Sequence, residues 1–227
     1  MRLIRAIIRD DTTECSALLE TTPSLAAQSL HIGAERGSAL DYFFPEIAHY
    51  LIAGDTALHA ASASYRTAIV RRLLDMGATV AARNRRGATP LHYAADGGPT
   101  LANWNPAAQA ETIVLLIRAG ADPNAFDKSG VAPIHRAVRQ RCPAAVETLL
   151  RLGTGVALRN KNGSTPLHLA VQDTGHSGSG EPEARTCQKQ IITLLLPHGA
   201  DTEAPDQAGK TPRQHARGEH LELLNQK

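Results

Sequence analysis

Five blocks of one pattern, each opening on a glycine, leave this chain little choice of architecture. They read Gly54-Asp-Thr-Ala-Leu-His, Gly87-Ala-Thr-Pro-Leu-His, Gly130-Val-Ala-Pro-Ile-His, Gly163-Ser-Thr-Pro-Leu-His and Gly209-Lys-Thr-Pro-Arg-Gln. Successive glycines stand 33, 43, 33 and 46 residues apart, so two intervals are the bare period and two carry an extra ten and thirteen residues. A second apolar signature follows each of the first four blocks: Ile69-Val70-x-x-Leu73-Leu74, Ile113-Val114-x-Leu116, Val146-x-x-Leu149-Leu150 and Ile192-x-x-Leu195-Leu196. Three of these run into a Gly-Ala pair, at Gly77, Gly120 and Gly199, and the other into Gly153-Thr154. Such a period predicts stacked helix pairs, because one pair cannot bury its apolar face alone.

Local chemistry points the same way. In Thr-Pro, the proline at the first helical position loses no hydrogen bond and the threonine caps exposed amides. Small apolar residues after it let neighbouring helices approach, and a glycine after the second helix suits a left-handed terminal residue. The block and its period together resemble the ankyrin repeat family, over about residues 54–224. That resemblance implies an all-α repeat solenoid of helix–turn–helix pairs with β-turn fingers. The expected layout is a single domain over 1–227: a capping helix pair (1–27), an aromatic-rich insertion (28–53), full repeats at 54–86, 87–129, 130–162 and 163–208, and a C-terminal cap (209–227). Repeat one departs from the family with Ala57 in place of proline. The last block has Arg213 and Gln214 in place of leucine and histidine, which suits a terminal repeat meeting water.

Composition narrows the function classes. Hydrophobic residues make up 42% and charged residues 20%, which excludes a disordered chain. No run approaches the roughly 20 apolar residues of a spanning helix. Arg2, Arg5 and Arg9 interrupt the apolar start, so no signal-peptide core is expected, and a soluble cytoplasmic protein is the default. A net charge of +2 disfavours a general nucleic-acid binder. Cys15, Cys142 and Cys187 are too widely spaced for a disulfide framework or a CxxC metal site. No cofactor motif is present: the chain lacks a Gly-x-Ser-x-Gly elbow, a His-Glu-x-x-His pair and a phosphate-binding Gly-x-x-x-x-Gly-Lys block. His59, His92, His135 and His168 recur once per repeat and so cannot converge on a metal. In the family this histidine bonds backbone between neighbouring repeats.

The resemblance also implies that fingers and inner helices line a concave surface that binds other proteins. Candidate contacts follow from register. Four and two residues before each glycine stand Arg83 and Arg85, Phe126 and Lys128, Arg159 and Lys161, then Pro205 and Gln207; Arg86 and Lys210 extend this basic run. Six and nine residues after it stand Tyr93 and Asp96, Arg136 and Arg139, Leu169 and Gln172. A mostly basic finger stripe favours a protein or peptide partner with acidic residues; equally, it serves to keep the fingers soluble. A monomer is expected.

Three insertions add options. Tyr42, Phe43, Phe44 and Tyr50 in residues 28–53 are half of the eight aromatics, and form either a plug over the first repeat or an aromatic lip on the groove. Residues 98–108, with Trp104, and residues 174–187 occupy the helix junctions of repeats two and four, on one edge of the stack, flanking the short junction at Arg141-Cys142-Pro143. Trp104 is either a local staple or a contact. Two rival functions stay open: an inhibitor or immunity-type protein that blocks a partner enzyme, and an enzyme with a site between the two insertions using Asp96, Arg139, Cys142 and His176. The cations beside Cys142 would favour its thiolate, against which stands a plain structural cysteine.

Overall fold

A computed structural model describes residues 1–35, 39–98, 104–172 and 181–225. Its helices fall in pairs: α1 (Arg2–Ile8) and α2 (Thr12–Thr21), α3 (Ala57–Ala63) and α4 (Thr67–Asp75), α5 (Pro90–Ala94) and α6 (Pro106–Arg118). Then come α7 (Pro133–Arg139) and α8 (Pro143–Arg151), α9 (Pro166–Ala170) and α10 (Pro182–Leu195), α11 (Pro212–His215) and α12 (Gly218–Asn225). The one sheet among the described residues is the hairpin of β1 (Phe43–Phe44) and β2 (His49–Tyr50), with Phe43 opposite Tyr50. This is the all-α repeat class that the period predicts. The chain divides into two compact units, Met1–Ala94 with Ala107–Asp122, and Ala95–Pro106 with Pro123–Lys227.

In the first unit α3 packs on α1, α4 and α5; in the second, α7 packs on α8 and α9, and α10 on α8, α9 and α12. Both cores are leucine, isoleucine and alanine: Leu58, Leu73 and Leu91 in one and Ile134, Leu149 and Leu167 in the other are fully buried. Alanines at 60, 61, 94, 137 and 170 keep the first helices thin, so their neighbours come close.

The first helices α3 and α9 start on the same device. Thr56 and Thr165 accept a bond from the amide three residues on, while Nδ1 of His59 and His168 accepts from the cap amide. That fixes the proton on Nε2, which donates at 3.1 Å to a carbonyl of the following segment: His59 to Ala88, His135 to Leu158 and His168 to Lys210. His59 and His168 are therefore inter-repeat ties, as the resemblance implies, while His135 ties α7 to Leu158 near the end of its own repeat. In α7 the cap residue is Ala132, which keeps the histidine half of the box and has no side-chain oxygen for the other half.

The finger glycines need to be glycine for two reasons. Gly54, Gly130 and Gly163 have φ of +90°, +68° and +73°. A Cβ on each would also lie 2.8 Å from backbone or side-chain atoms of the next finger, at Asn84, Lys161 and Gln207. The short helix junctions share a different turn. Asp10, Tyr65 and Arg141 are left-handed, and the amide after each bonds back to Ala6, Ala61 and Ala137.

In the insertion at 28–53 the buried apolar residues are not its aromatics. Leu51 and Ile52 are buried, whereas Tyr42, Phe43 and Phe44 are half-buried and Tyr50 is exposed. In repeat four α10 begins at Pro182, so residues 182–187, expected as loop, form its first turns; in repeat two, 106–108 likewise open α6. A buried glutamine on each of these helices holds the loop base. Gln109 donates to the Ala94 carbonyl at 3.0 Å, and Gln188 to that of Ala170 at 2.7 Å.

Candidate partner-binding site

Four of the five fingers are built on an Asn or Asp three residues before the glycine, where the first has Leu51. Oδ1 of Asn84, Asp127, Asn160 and Asp206 accepts two amides, two and four residues ahead, at 2.8–3.1 Å. The anchor is legible in the sequence, because Asn84, Asp127, Asn160 and Asp206 stand at a fixed offset from the glycine.

The flanking residues divide by what holds them. In the first unit Arg83 is exposed and donates to the Gly87 carbonyl at 2.8 Å, closing its own finger. Arg85 is drawn onto the insertion, where it pairs with Glu35 at 2.6 Å and donates to the Ala34 carbonyl. In the second unit Arg159 repeats the role of Arg83, donating to Gly163, and also reaches the Pro205 carbonyl at 2.6 Å. Lys128 and Lys161 are exposed and make no hydrogen bond or ion pair among the described residues. Phe126 is exposed at 40%.

The helix positions depart further from expectation. Tyr93, expected on the surface, is 1% exposed: its hydroxyl donates to Asp55 at 2.8 Å and accepts from Asn84 at 3.0 Å, and the ring meets His49 and His59 edge-on. A carboxylate in the core has drawn the phenol inward. Asp96 and Arg136 are paired at 2.7 Å, and Arg136 also bonds Asp127 at 3.1 Å. Burial alone would push the Asp127 carboxyl up, but the Val131 amide and the Arg136 guanidinium outweigh it, and it lies below the usual carboxylate value. This triad is half-buried and internally paired, with two carboxylates on one guanidinium. Arg139 is exposed, with no ion pair among the described residues. Gln172 is half-buried, and its carbonyl accepts from Arg141 and Gln188. Trp104 is half-buried.

The repeat-three junction touches described residues beside both insertions. Arg141 is buried and its guanidinium donates to Gln172 at 2.8 Å, while a Cβ on Gly98 would lie 2.9 Å from the Gln140 carbonyl. These contacts do not assemble a reactive centre. Cys142 has no solvent exposure and its thiol donates to the Gln140 carbonyl, and Asp96 is tied to Arg136. His176 and the middles of both insertions lie outside the described residues.

Among the described residues no three metal-ligating side chains cluster, and no helix is long and apolar enough to cross a membrane. What the second unit does present is three unengaged cations, Lys128, Arg139 and Lys161, with an exposed phenyl ring, on elements that the finger anchors and capping boxes make rigid.

Comparison with known proteins agrees with this architecture. A family model described as ankyrin repeats, three copies, matches residues 30–104 and 102–179, and one for a single ankyrin repeat matches residues 162–207. The B-cell lymphoma 3 protein homolog of Mus musculus is 34% identical over 168 residues, 72% of this chain and 33% of that protein. Ankyrin repeat and SOCS box protein 16 of Mus musculus is 33% identical over 153 residues, 66% of this chain and 32% of that protein. The palmitoyltransferase Hip14 of Drosophila melanogaster is 40% identical over 81 residues, 35% of this chain and 11% of that enzyme. The chain thus spans about a third of the length of the first two relatives. With a repeating glycine–cap–histidine unit in the structure and family matches from residue 30 to residue 207, the chain belongs to the ankyrin repeat family.

Proposed function

We propose that this chain is a non-enzymatic protein-interaction module that binds an acidic protein or peptide segment through its finger surface, as a monomer in the cytoplasm. The observation that carries the proposal is the contrast within one register. Most polar side chains at the candidate positions already have internal partners, whereas Lys128, Arg139 and Lys161 are exposed and unengaged. Two lysines on finger turns and an arginine at the end of α7 steer an acidic partner. Phe126 supplies the apolar anchor beside them, and Trp104 stands at the insertion edge of the same unit. Arg159 is a part-engaged cation of the same unit and belongs to the proposed contact set, whereas Arg83 and Arg85 are part-engaged cations of the first unit. Tyr93 lies outside the set because it is buried.

A near-neutral chain with local basic patches fits a protein partner better than nucleic acid, whose backbone rewards a large overall excess of cations. The test is capture of a partner from source lysate by the native chain and by Arg139→Glu/Lys161→Glu. Both side chains are exposed, so the variant should keep the circular dichroism spectrum and melting temperature of the native chain. The expected outcome is loss of the captured protein and, with that protein purified, affinity about tenfold or more weaker at low salt, largely through slower association. A partner bound equally by both proteins would remove the finger surface from the proposal.

A further inference from the structure

Two adjoining cavities of the second unit lie away from the fingers and share one residue, Lys189. One, of about 360 Å³, is lined by Arg185, Lys189, Arg217, Gly218, Glu219 and His220, with no apolar side chain in its wall. The other, of about 570 Å³, is a groove between α8 and α10 whose walls include Pro143, Ala144, Thr186, Thr193 and Leu194, with Glu147 as its carboxylate.

The charge in the first cavity comes from separate parts of the chain. Arg185 and Lys189 stand one turn apart on α10, while Arg217, Glu219 and His220 come from the start of α12. Three permanent cations face one carboxylate, leaving an excess of two positive charges before His220 is counted. Gathering like charges costs energy that the cavity offsets only in part. Glu219 pairs with Lys189; that bond and the field of Lys189, then the weaker fields of His220 and Arg185, hold its carboxyl below the usual value. Arg217 is braced by the carbonyls of Gln214 and Ala216 at 2.8 Å each. Arg185 has no hydrogen bond or ion pair among the described residues.

We propose that this cavity binds the phosphate monoester of a phosphorylated serine or threonine, with the peptide chain on one side of it lying extended in the α8–α10 groove. At neutral pH such a group carries close to two negative charges and three strong acceptors. It therefore neutralises the excess that Glu219 leaves, and two arginine forks suit its oxygens. A peptide carboxylate brings half that charge and fewer acceptors. The groove selects a peptide over a free anion. From Thr186 to Leu194 the helix rises roughly 12 Å, which is the span of about four extended residues. Glu147 on the groove wall makes that segment neutral or basic rather than acidic. This surface is independent of the fingers and of the function proposed for them.

The test uses the full chain, labelled with nitrogen-15, and three probes: a capped nine-residue alanine peptide with a central phosphoserine, its unmodified serine twin, and inorganic phosphate. The phosphopeptide should shift amide signals at 185–189 and 217–220 and also along 143–147 and 190–194. The serine twin should shift none of these, and inorganic phosphate should move the first set alone, with affinity about fivefold or more weaker because it gains nothing from the groove. Arg185→Ala, an exposed change, should weaken the phosphopeptide about tenfold. Glu219→Gln removes the competing carboxylate and should tighten it about threefold, the reverse of what a merely structural loss would do. Four results overturn the proposal: equal binding of the two peptides, unchanged affinity in Arg185→Ala, weaker binding in Glu219→Gln, or inorganic phosphate matching the phosphopeptide. The last of these would make it a site for free anions.

Discussion

Asp55 is a carboxylate with no solvent exposure, and three donors hold it: the Ile52 amide at 2.6 Å, the Tyr93 hydroxyl at 2.8 Å and the Asn84 side-chain amide at 2.9 Å. His59 stands 3.9 Å away. Removing one donor leaves the charge short of a partner where water cannot replace it. Tyr93→Phe should therefore cost about 1–3 kcal/mol in urea unfolding although it deletes a single oxygen. A loss near zero would mean that the Ile52 and Asn84 amides hold Asp55 without the phenol. Nothing in the residues around Tyr93 announces this role. Register places it six residues after Gly87, the same offset as Arg136 after Gly130, and period alone treats the two alike. They part because Asp55 and Asn84, from two earlier fingers, converge on one ring, whereas Asp96 and Asp127 hold the other side chain at the surface. Long-range partners of this kind are set by stacking and are invisible to any local pattern.

At the scale of the element, the capping box offers a comparison made within the molecule. Thr56 and Thr165 begin their helices with a side-chain oxygen, and Ala132 begins α7 without one, although the buried Pro133 and His135 follow in the same frame. Ala132 has no solvent exposure, against 6% and 5% for Thr56 and Thr165, so the added hydroxyl and methyl enter a slightly more enclosed site than the two the fold already fills. Ala132→Thr should raise stability by about 1 kcal/mol, read as a higher urea midpoint with unchanged slope. The converse, Thr165→Ala, should lower it by about as much; failure of both would assign the start of these helices to proline and packing alone. These elements were the most legible part of the chain. Thr-Pro, the leucine and alanine run and the terminal glycine act within one turn, so their order along the chain is their order in space. Less legible was where α10 starts. Residues 182–187 follow a glycine–serine stretch and read as loop, yet Pro182 opens a helix whose Ala184 and Gln188 are buried, because α8 and α9 supply the face they need.

For the whole molecule, the histidine ties repeat along the array, and they turn a residue property into a property of the fold. Each requires a neutral ring: Nδ1 accepts an amide and Nε2 donates to a carbonyl, so a second proton removes the acceptor and places a charge inside the stack. Burial pushes the His135 imidazole down from an ordinary 6.5 to about 4, against the weaker upward pull of its bonds, and burial lowers His168 in the same sense. The unfolded chain then binds more protons than the native one between those values. Stability from His135 is thus fully present above pH 6.5 and is lost progressively as pH falls from 6.5 towards 4. Over that window it is worth on the order of 3 kcal/mol. Asp127 and Asp206 act in the next window down. Both carboxyls are held below 3.8, so what they contribute persists through the histidine window and is lost only at more acid pH. Urea unfolding at pH 7.5, 6.5, 5.5 and 4.5 should accordingly give a midpoint that is level over the first step and falls over the next two. His135→Gln, which cannot take a second charge, should be less stable than the native chain at pH 7.5 and lose less between 6.5 and 4.5. Parallel pH profiles for the two proteins would mean that the His135 ring is not the group that titrates, and would move the acid sensitivity of the array to its carboxylates.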